Sequence, residues 1–341
     1  MPYYMYISIA GEDKVLIFTV DPETGKLESQ DEVPVPGRPA PLTVDPGQRF
    51  LYVGRRDDLK ISSYLIDWST GGLLLVGTVS LKSDPCYLAT DRKGKFLFSA
   101  YFSAGKVAVH HINDDGTMDT PPVEWLDTAS GAHALQTDPS NRFAFVPHIA
   151  PPNGPNMILQ FKFNDTTGHL TPNSPHRVIP EEGIGPRLFC FHPILDVLYF
   201  SNEQGCSVTA YRFDSSAGTL SILQTVSTLP DDYKGRSTCA QIQISPSGRF
   251  LYAPNRGHNS IACFSVEAYT GRLTRIGIVP TEAIPRAFSL DPEGKFLFAT
   301  GLESGRMASY RINGNTGELE PIETYTIGKA PMWVLITRPA R

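Results

Sequence analysis

The sequence of 341 residues lacks the features that mark several protein classes. It has no run of 18 apolar residues, so we expect no transmembrane helix. It has five cysteines and no C-x-x-C pair, which argues against a disulfide framework and against a structural zinc site. Its 30 lysines and arginines are outnumbered by 35 acidic residues, giving a net charge of −5. This balance disfavours a nucleic-acid binder that relies on bulk positive charge.

Two further features are missing. The first residues, Met1–Met5, lack the basic segment and long apolar core of a signal peptide, and with the scattered cysteines this indicates a reduced, cytoplasmic protein. Helical periodicity is nearly absent, whereas alternation of apolar and polar residues is frequent. The sequence therefore predicts an all-β protein.

One string recurs seven times and combines an apolar alternation, an acidic or amide residue, a turn, a glycine and usually a leucine. Clear copies are ILQFKFNDTTGHL (158–170) and VTAYRFDSSAGTL (208–220). Each copy is typical of a strand, a tight turn and the start of the next strand. The turn glycines, 45 to 53 residues apart, are Gly25, Gly71, Gly116, Gly168, Gly218, Gly271 and Gly317.

A second string, D-P-x-G-[RK]-F-L-[YF], has six copies, such as DPGQRFLYV (45–53) and DPEGKFLFA (291–299). The chain ends supply the missing copy, because MWVLITRP (332–339) is typical of the strand before such a turn and YYMYISI (3–9) of the strand after it. Four-stranded units at this period predict a seven-bladed β-propeller of antiparallel blades. We expect a single domain over residues 1–341, with the last blade closed by both chain termini.

The predicted topology sends the irregular connections to one face. If the strands of a blade are labelled A to D from the axis outward, the repeated strings form the A–B and C–D turns, and the D–A and B–C connections emerge on the opposite face. Function is usually carried by such variable loops. A basic funnel there, in an acidic protein, indicates a small anionic ligand. Its charged residues are Arg55, Arg56, Arg187, Arg256, Arg286 and one acid, Glu203, accompanied by His133 and His148.

Each candidate also has a purely structural interpretation. Arg187 and Arg256 could hydrogen-bond carbonyl groups of neighbouring blades, and Glu203 could form a structural ion pair. His133 could be a satisfied structural histidine, and His148 could anchor the Pro/Gly-rich loop that follows it.

A metal or cofactor is not expected. The face offers one carboxylate among arginines that oppose a cation. The sequence also has no G-x-S-x-G nucleophile elbow, no P-loop and no G-x-G-x-x-G before a helix. His192 replaces the aspartate of a D-P turn on the other face, and we interpret it as structural.

The chain resembles the bacterial 6-phosphogluconolactonase family of seven-bladed propellers, which includes the fungal carboxy-muconate lactonizing enzymes. The resemblance rests on GPRLFCFHP (185–193), SNEQGCSV (201–208), SPSGRFLYAPNR (245–256), IPRAFSLDPEGKFL (284–297) and APMWVLI (330–336). By motif it implies a catalytic set of His133 in GAHALQTDP, Arg187 in GPR, Glu203 in NE and Arg256 in APNR. These residues are also in the set that the blade topology gives. The chain departs from its relatives at His148 and at the insertion 151–156.

The leading hypothesis is a metal-independent lactonase that hydrolyses an anionic sugar lactone, 6-phosphogluconolactone in first place. Glu203 or His133 would be the general base, and Arg187 and Arg256 would stabilise the oxyanion. The residues assigned to substrate binding are Arg187, Arg256, Arg286, His148, Arg55 and Trp333. We expect a solvated mouth, so that losing Arg187 costs about 1 kcal/mol of folding stability.

Two alternatives remain open from the sequence. One is a carboxy-cis,cis-muconate lactonizing enzyme, a cycloisomerase that would use the same residues to close a ring. The other is a non-enzymatic propeller module that binds a partner protein. As partners we expect a small anionic lactone, no nucleic acid and no membrane, with the protein a monomer or a weak homo-oligomer.

Overall fold

The computed structural model describes residues 3–338, and every regular element in that range is a β-strand. The strands form seven antiparallel sheets in up-and-down order, as predicted for a seven-bladed propeller. Residues 1, 2 and 339–341 of the expected single domain lie outside the described residues. Between residues 3 and 338 there is no helix long and apolar enough to span a membrane.

Six blades are contained within the chain and are numbered 1 to 6; the closing blade contains both chain ends. From the axis outward, the closing blade contains β29 (Pro331–Thr337), β1 (Tyr3–Ile9), β2 (Lys14–Val20) and β3 (Leu27–Pro34). Blade 1 contains β4 (Pro39–Val44), β5 (Phe50–Arg55), β6 (Lys60–Ile66) and β7 (Leu73–Ser80). Blade 2 contains β8 (Tyr87–Thr90), β9 (Phe96–Tyr101), β10 (Lys106–His111) and β11 (Glu124–Asp127).

The remaining four blades have the same order of strands. Blade 3 contains β12 (Gln136–Thr137), β13 (Phe143–His148), β14 (Met157–Phe163) and β15 (Leu170–Val178). Blade 4 contains β16 (Pro186–Phe191), β17 (Val197–Asn202), β18 (Ser207–Asp214) and β19 (Thr219–Ser227). Blade 5 has a split inner strand, β20 (Thr238–Cys239) and β21 (Gln243–Ile244), then β22 (Phe250–Arg256), β23 (Ser260–Val266) and β24 (Leu273–Pro280). Blade 6 contains β25 (Pro285–Leu290), β26 (Phe296–Gly301), β27 (Arg306–Ile312) and β28 (Leu319–Thr326).

The two chain ends pair in the closing blade. Strand β1 runs antiparallel to β29, with Tyr4 opposite Thr337 and Ser8 opposite Trp333. On its other side β1 pairs with β2. This confirms the closure predicted from the missing seventh D-P-x-G string, and it ties the last strand of the ring to the first.

Neighbouring blades meet where an aromatic ring packs under a turn glycine. Phe143 opens strand B of blade 3, and a Cβ added to Gly218 in the C–D turn of blade 4 would lie 2.0 Å from its ring. Gly218 also has a φ of 70°, which residues with a side chain rarely adopt. The same contact joins Gly317 to Phe250. The two repeated strings therefore encode the two sides of one blade-to-blade contact.

The A–B turns are closed by the aspartate of the D-P-x-G string. Oδ1 of Asp291 accepts hydrogen bonds from the backbone N–H groups of Lys295 and Phe296, each at 2.6 Å. In blade 4, Nδ1 of His192 accepts hydrogen bonds from the N–H groups of Ile194 at 3.0 Å and Leu195 at 2.9 Å. His192 therefore replaces the aspartate as an acceptor and is structural, as predicted.

Candidate active site

A recurring backbone hydrogen bond, which we call the backbone frame, shapes the channel mouth. In blades 1, 4 and 6 and in the closing blade, the first residue of the B–C connection donates a hydrogen bond to the carbonyl of the residue before strand A of the same blade. In blade 4 this bond runs from Glu203 N to Gly185 O at 2.7 Å. Because Arg187 follows Gly185 by two residues, the frame sets Glu203 beside Arg187.

Arg187 and Arg286 point toward the axis because each lies in a β-bulge. The pairing of β16 with β17 passes from Pro186 to Leu188, and the pairing of β25 with β26 skips Arg286 in the same way. A bulge leaves the extra residue unpaired and redirects its side chain. Both arginines therefore line the central channel.

Arg187, Glu203 and Arg256 form one charge cluster. Nε of Arg187 lies 2.7 Å, and Nη2 of Arg256 3.0 Å, from the same atom, Oε2 of Glu203. Burial alone would raise the pKa of Glu203, but the charges of Arg187 and Arg256 outweigh it and hold the pKa below its ordinary value. Glu203 is therefore anionic at neutral pH.

Arg187 is far less solvated than expected from the sequence. Its side chain is 3% exposed, against 19% for Glu203, because the bulge turns it inward from the rim. Burial, together with the charge of Arg256, lowers the pKa of Arg187 to about 10. The expectation of a solvated arginine is therefore wrong, and the small stability cost inferred from that solvation loses its basis.

Arg286 differs from the other arginines of the mouth in its contacts. Within residues 3–338 it forms no salt bridge and no side-chain hydrogen bond, whereas the other four arginines of the mouth each contact a carboxylate. Burial and the positive charges of Arg187 and Arg256 lower the pKa of Arg286 to about 9. A bound anion would relieve this repulsion at Arg286.

A narrow cavity of about 10 Å³ lies on the axis, since six of the seven blades contribute to its wall. Its lining residues are Ala40, Pro41, Arg56, Cys86, Arg187, Gln241, Arg286, Met332 and Trp333. Arg187, Arg286 and Trp333 were assigned to substrate binding from the sequence. Cys86 precedes β8 and Gln241 lies between β20 and β21, and neither residue type forms a sequence motif at these places. Arg56, which pairs with Asp84, was placed in the funnel but given no role.

His133 lies beside the arginines, where the inner strand of blade 3 is interrupted. Its ring contacts Phe102 edge to face, with centroids 5.6 Å apart, and its Nδ1 is buried without a hydrogen-bond partner. Burial and the charges of Arg187 and Arg286 hold the pKa of His133 well below its ordinary value. The imidazole is therefore neutral in the free protein.

The structure does not bring Arg55 or His148 to the cavity. Arg55 directly precedes Arg56, which lines the cavity, and successive side chains of a strand point to opposite sides. Arg55 instead bonds the carbonyl of Pro36 and pairs with Asp58 in its own turn. His148 is fully buried with neither ring nitrogen bonded, and burial lowers its pKa to about 4.

Comparisons with known proteins agree with this architecture. The family described as "Lactonase, 7-bladed beta-propeller" matches residues 4–336. The chain is 34% identical over 336 residues to a 6-phosphogluconolactonase of Pectobacterium carotovorum, covering 98% of this chain and 99% of the relative. It is 34% identical over 339 residues to a 6-phosphogluconolactonase of Yersinia enterocolitica, covering 99% of both. The solved structure of a periplasmic gluconolactonase of Pseudomonas aeruginosa superposes with a TM-score of 0.91 over 100% of both chains at 22% identity, which shows a shared fold.

Proposed function

The chain belongs to the lactonase family of seven-bladed β-propellers and is a lactonase, and we propose that its substrate is an anionic sugar lactone, with 6-phosphogluconolactone in first place. The observation that carries the proposal is Arg286, a guanidinium at the channel mouth that has no acidic partner within residues 3–338. The names of the two bacterial relatives point to the same substrate.

The phosphate group binds at Arg286. A guanidinium presents paired N–H donors that match a phosphate, and the negative charge offsets the repulsion among Arg286, Arg187 and Arg256. The axial cavity of about 10 Å³ has room for little more than one water molecule. The lactone therefore lies across the mouth, with its phosphate on Arg286 and its ring toward Glu203.

The reaction needs a site for developing negative charge. A water molecule adds to the carbonyl carbon, the bond from that carbon to the ring oxygen breaks, and the products are a carboxylate, a hydroxyl group on the former ring oxygen and one released proton. Negative charge appears on the carbonyl oxygen in the tetrahedral intermediate. Arg187 donates through Nε to Glu203, so its remaining N–H groups, in the wall of the cavity, stabilise this oxygen.

His133 is the general base of the proposal, and Glu203 positions the arginines. Both guanidiniums contact Oε2 of Glu203 and hold its pKa below the ordinary value, so the carboxylate orients the arginines. Burial and the same arginine charges also lower the pKa of His133, so its neutral ring, with Nδ1 buried and without a partner, becomes a base only when the anionic substrate is bound. A bound anion lowers the cost of protonating its ring, because it compensates the nearby positive charge.

The test is a substrate panel followed by acid release in weakly buffered solution. We expect a kcat/KM for 6-phosphogluconolactone at least 100-fold above that for glucono-δ-lactone, which has the same ring without the phosphate. Equal values for the two lactones would contradict the anionic substrate. Conversion of a carboxy-muconolactone at a rate above both would instead support the cycloisomerase alternative.

We also propose that the enzyme is cytoplasmic and acts on a small molecule without a metal or cofactor. The five cysteines are free, and four of them are buried. The carboxylate at the mouth, Glu203, is held between two arginines that would repel a cation.

A further inference from the structure

The last residue of every B–C connection has a left-handed backbone. These residues, with φ between 43° and 66°, are Asp13, Leu59, Gly105, Asn156, Cys206, Asn259 and Gly305. Glycine, asparagine and aspartate tolerate this conformation best. Only the asparagines and the aspartate of this set also offer a side-chain oxygen that can accept a hydrogen bond from a neighbouring chain segment.

All three of these side chains bond to the next blade. Their Oδ1 atoms accept from backbone N–H groups over the pairs Asp13 to Arg38 at 2.8 Å, Asn156 to Gly185 at 2.8 Å and Asn259 to Ile284 at 2.9 Å. Each N–H group belongs to the residue directly before the proline that opens strand A of that blade. We call these three contacts the asparagine/aspartate clamps.

The residue whose N–H group donates to each clamp also has a left-handed backbone conformation. Ile284 has a φ of 56°, which is strained for a β-branched side chain. Asn259 holds its N–H, and the N–H of Leu302 holds its carbonyl at 3.0 Å. Both backbone polar groups of Ile284 are therefore held by other chain segments, and those of Gly185 are held in the same way by Asn156 and Glu203.

The three clamps lead to different residues along the chain. Two residues after Ile284 comes Arg286, and two residues after Gly185 comes Arg187, each in its β-bulge. In the third clamp the N–H group belongs to Arg38, and two residues later comes Ala40, whose side chain has no charge. We propose that Asn156 and Asn259 are positioning residues, which set Arg187 and Arg286 through the backbone; the inference rests on the proposed roles of those arginines.

The proposal gives a role to the connection that contains the insertion 151–156, because this connection ends at Asn156. It is the B–C connection of blade 3, 149–156, and has eight residues, whereas the corresponding connection of blade 4, 203–206, has four. Its N-terminal end is held by Gln204, whose amide bonds both the N–H and the carbonyl of Ala150 at 3.3 and 3.2 Å. Its C-terminal end is Asn156, buried at 6% exposure. The loop therefore spans from the residue next to Glu203 to the peptide that leads to Arg187.

Three glycine variants test the proposal: Asn259→Gly, Asn156→Gly and the matched control Asp13→Gly. Glycine adopts a positive φ without strain, so each change removes the side-chain bonds alone. We expect Asn259→Gly to weaken binding of inorganic phosphate, measured by calorimetry, about 10-fold, and Asn156→Gly to lower kcat about 10-fold at nearly constant KM. Asp13→Gly should stay within about two-fold in both measurements. It should also lose less stability than Asn156→Gly, because Asp13 is exposed whereas Asn156 is buried and also donates to the carbonyl of Glu181.

One aspartate variant provides the rescue. Asn259→Asp keeps the accepting oxygen and a residue that tolerates a positive φ, and Asp13 shows that aspartate can form the clamp. We expect this variant to recover most of the lost phosphate affinity, whereas Asn156 has no such variant because its Nδ2 also donates to the carbonyl of Glu181. A clamp that acts only on stability would instead give Asn259→Gly and Asp13→Gly the same phosphate affinity, which would overturn the proposal.

Phosphate binding separates this proposal from the proposed substrate, because it requires no turnover. If the wild-type protein does not hydrolyse 6-phosphogluconolactone but Asn259→Gly still loses phosphate affinity relative to Asp13→Gly, the substrate is wrong and the clamp is supported. If the wild type does hydrolyse it and the two variants bind phosphate equally, the clamp is wrong and the substrate stands. A wild-type protein that does not bind phosphate contradicts both.

Discussion

Nε of Arg187 lies 2.7 Å from Oε2 of Glu203, although 16 residues separate them in the sequence. The contact arises from the blade topology, because strands A and B of one blade are adjacent and the bulge turns Arg187 toward the channel. Arg256 reaches the same oxygen from the next blade. The cluster therefore holds two positive charges and one negative charge, and its net positive charge is available to a substrate anion.

Arg187→Ala should lower both stability and activity. Removing one partner of a buried ion pair costs about 3 kcal/mol of unfolding free energy. If Arg187 also meets the oxyanion, kcat/KM should fall by a further factor of about 100 to 1000. The matched control is Lys93→Ala, whose side chain is 53% exposed in its ion pair with Asp165 and should cost less than about 1 kcal/mol. Equal unfolding free energies for the two variants in urea would contradict the buried role.

Arg286→Ala should separate substrate binding from folding. Loss of a charged hydrogen-bond donor should raise KM for 6-phosphogluconolactone by about 10- to 100-fold and leave glucono-δ-lactone unaffected. The variant should be at least as stable as the wild type, because like-charge repulsion at the mouth is reduced. Arg249→Ala is the control, since Arg249 bonds the carbonyl of Gly314 on the opposite face. A similar change in KM for both lactones would argue against a phosphate contact.

The fold could be predicted from the sequence because each blade repeats the same two contacts. Residues such as Gly218 and Phe143 recur in register, so the strings reveal both the strand order and the number of blades. The absence of a seventh internal copy of the D-P-x-G string places the closing blade at the chain ends. The same residues form the turns and pack one blade against the next, so the repeat can be recognised in the sequence.

The site was predicted less completely, for two physical reasons. A shift of one residue along a strand turns a side chain to the other side, so Arg55 was assigned to the substrate although Arg56 lines the cavity. Bulges and left-handed turns depend on backbone geometry rather than residue type alone. The burial of Arg187 and the clamp from Asn156 therefore left no sign in the sequence pattern.

Gly218→Ala should destabilise the contact between blades 3 and 4. The added Cβ would lie 2.0 Å from the ring of Phe143, at a φ of 70°. We expect a loss of about 2 to 4 kcal/mol in unfolding free energy, from combined backbone strain and overpacking. Gly314→Ala is the control, because a Cβ there meets no atom within 4 Å. Thermal unfolding of both variants gives the comparison, and equal unfolding midpoints would contradict this account of the contact between the two blades.

The pH dependence should identify the general base. In the free protein, burial and the arginine charges hold the pKa of His133 well below its ordinary value, so its base form persists into acidic solution. Because kcat/KM reports the free enzyme, its acid limb should lie at low pH. A bound phosphate compensates the charge of Arg286 and raises the pKa of His133 in the complex. The acid limb of kcat should therefore lie about one pH unit above that of kcat/KM.

Glu203→Gln and His133→Asn separate the two candidate bases. Glu203→Gln removes a negative charge near His133, and this loss lowers the pKa of the imidazole. The acid limb of kcat should therefore move to lower pH, and kcat should fall by less than about 10-fold. His133→Asn should lower kcat by about 100-fold and abolish that limb. With glucono-δ-lactone, which brings no charge, the limbs of kcat and kcat/KM should coincide in the wild type. Glu203 would instead be the base if kcat fell about 100-fold in a well-folded Glu203→Gln protein and the acid limb of kcat stayed unchanged in His133→Asn. The limb reports the titration of the group that accepts the proton, so it disappears only when that group is replaced.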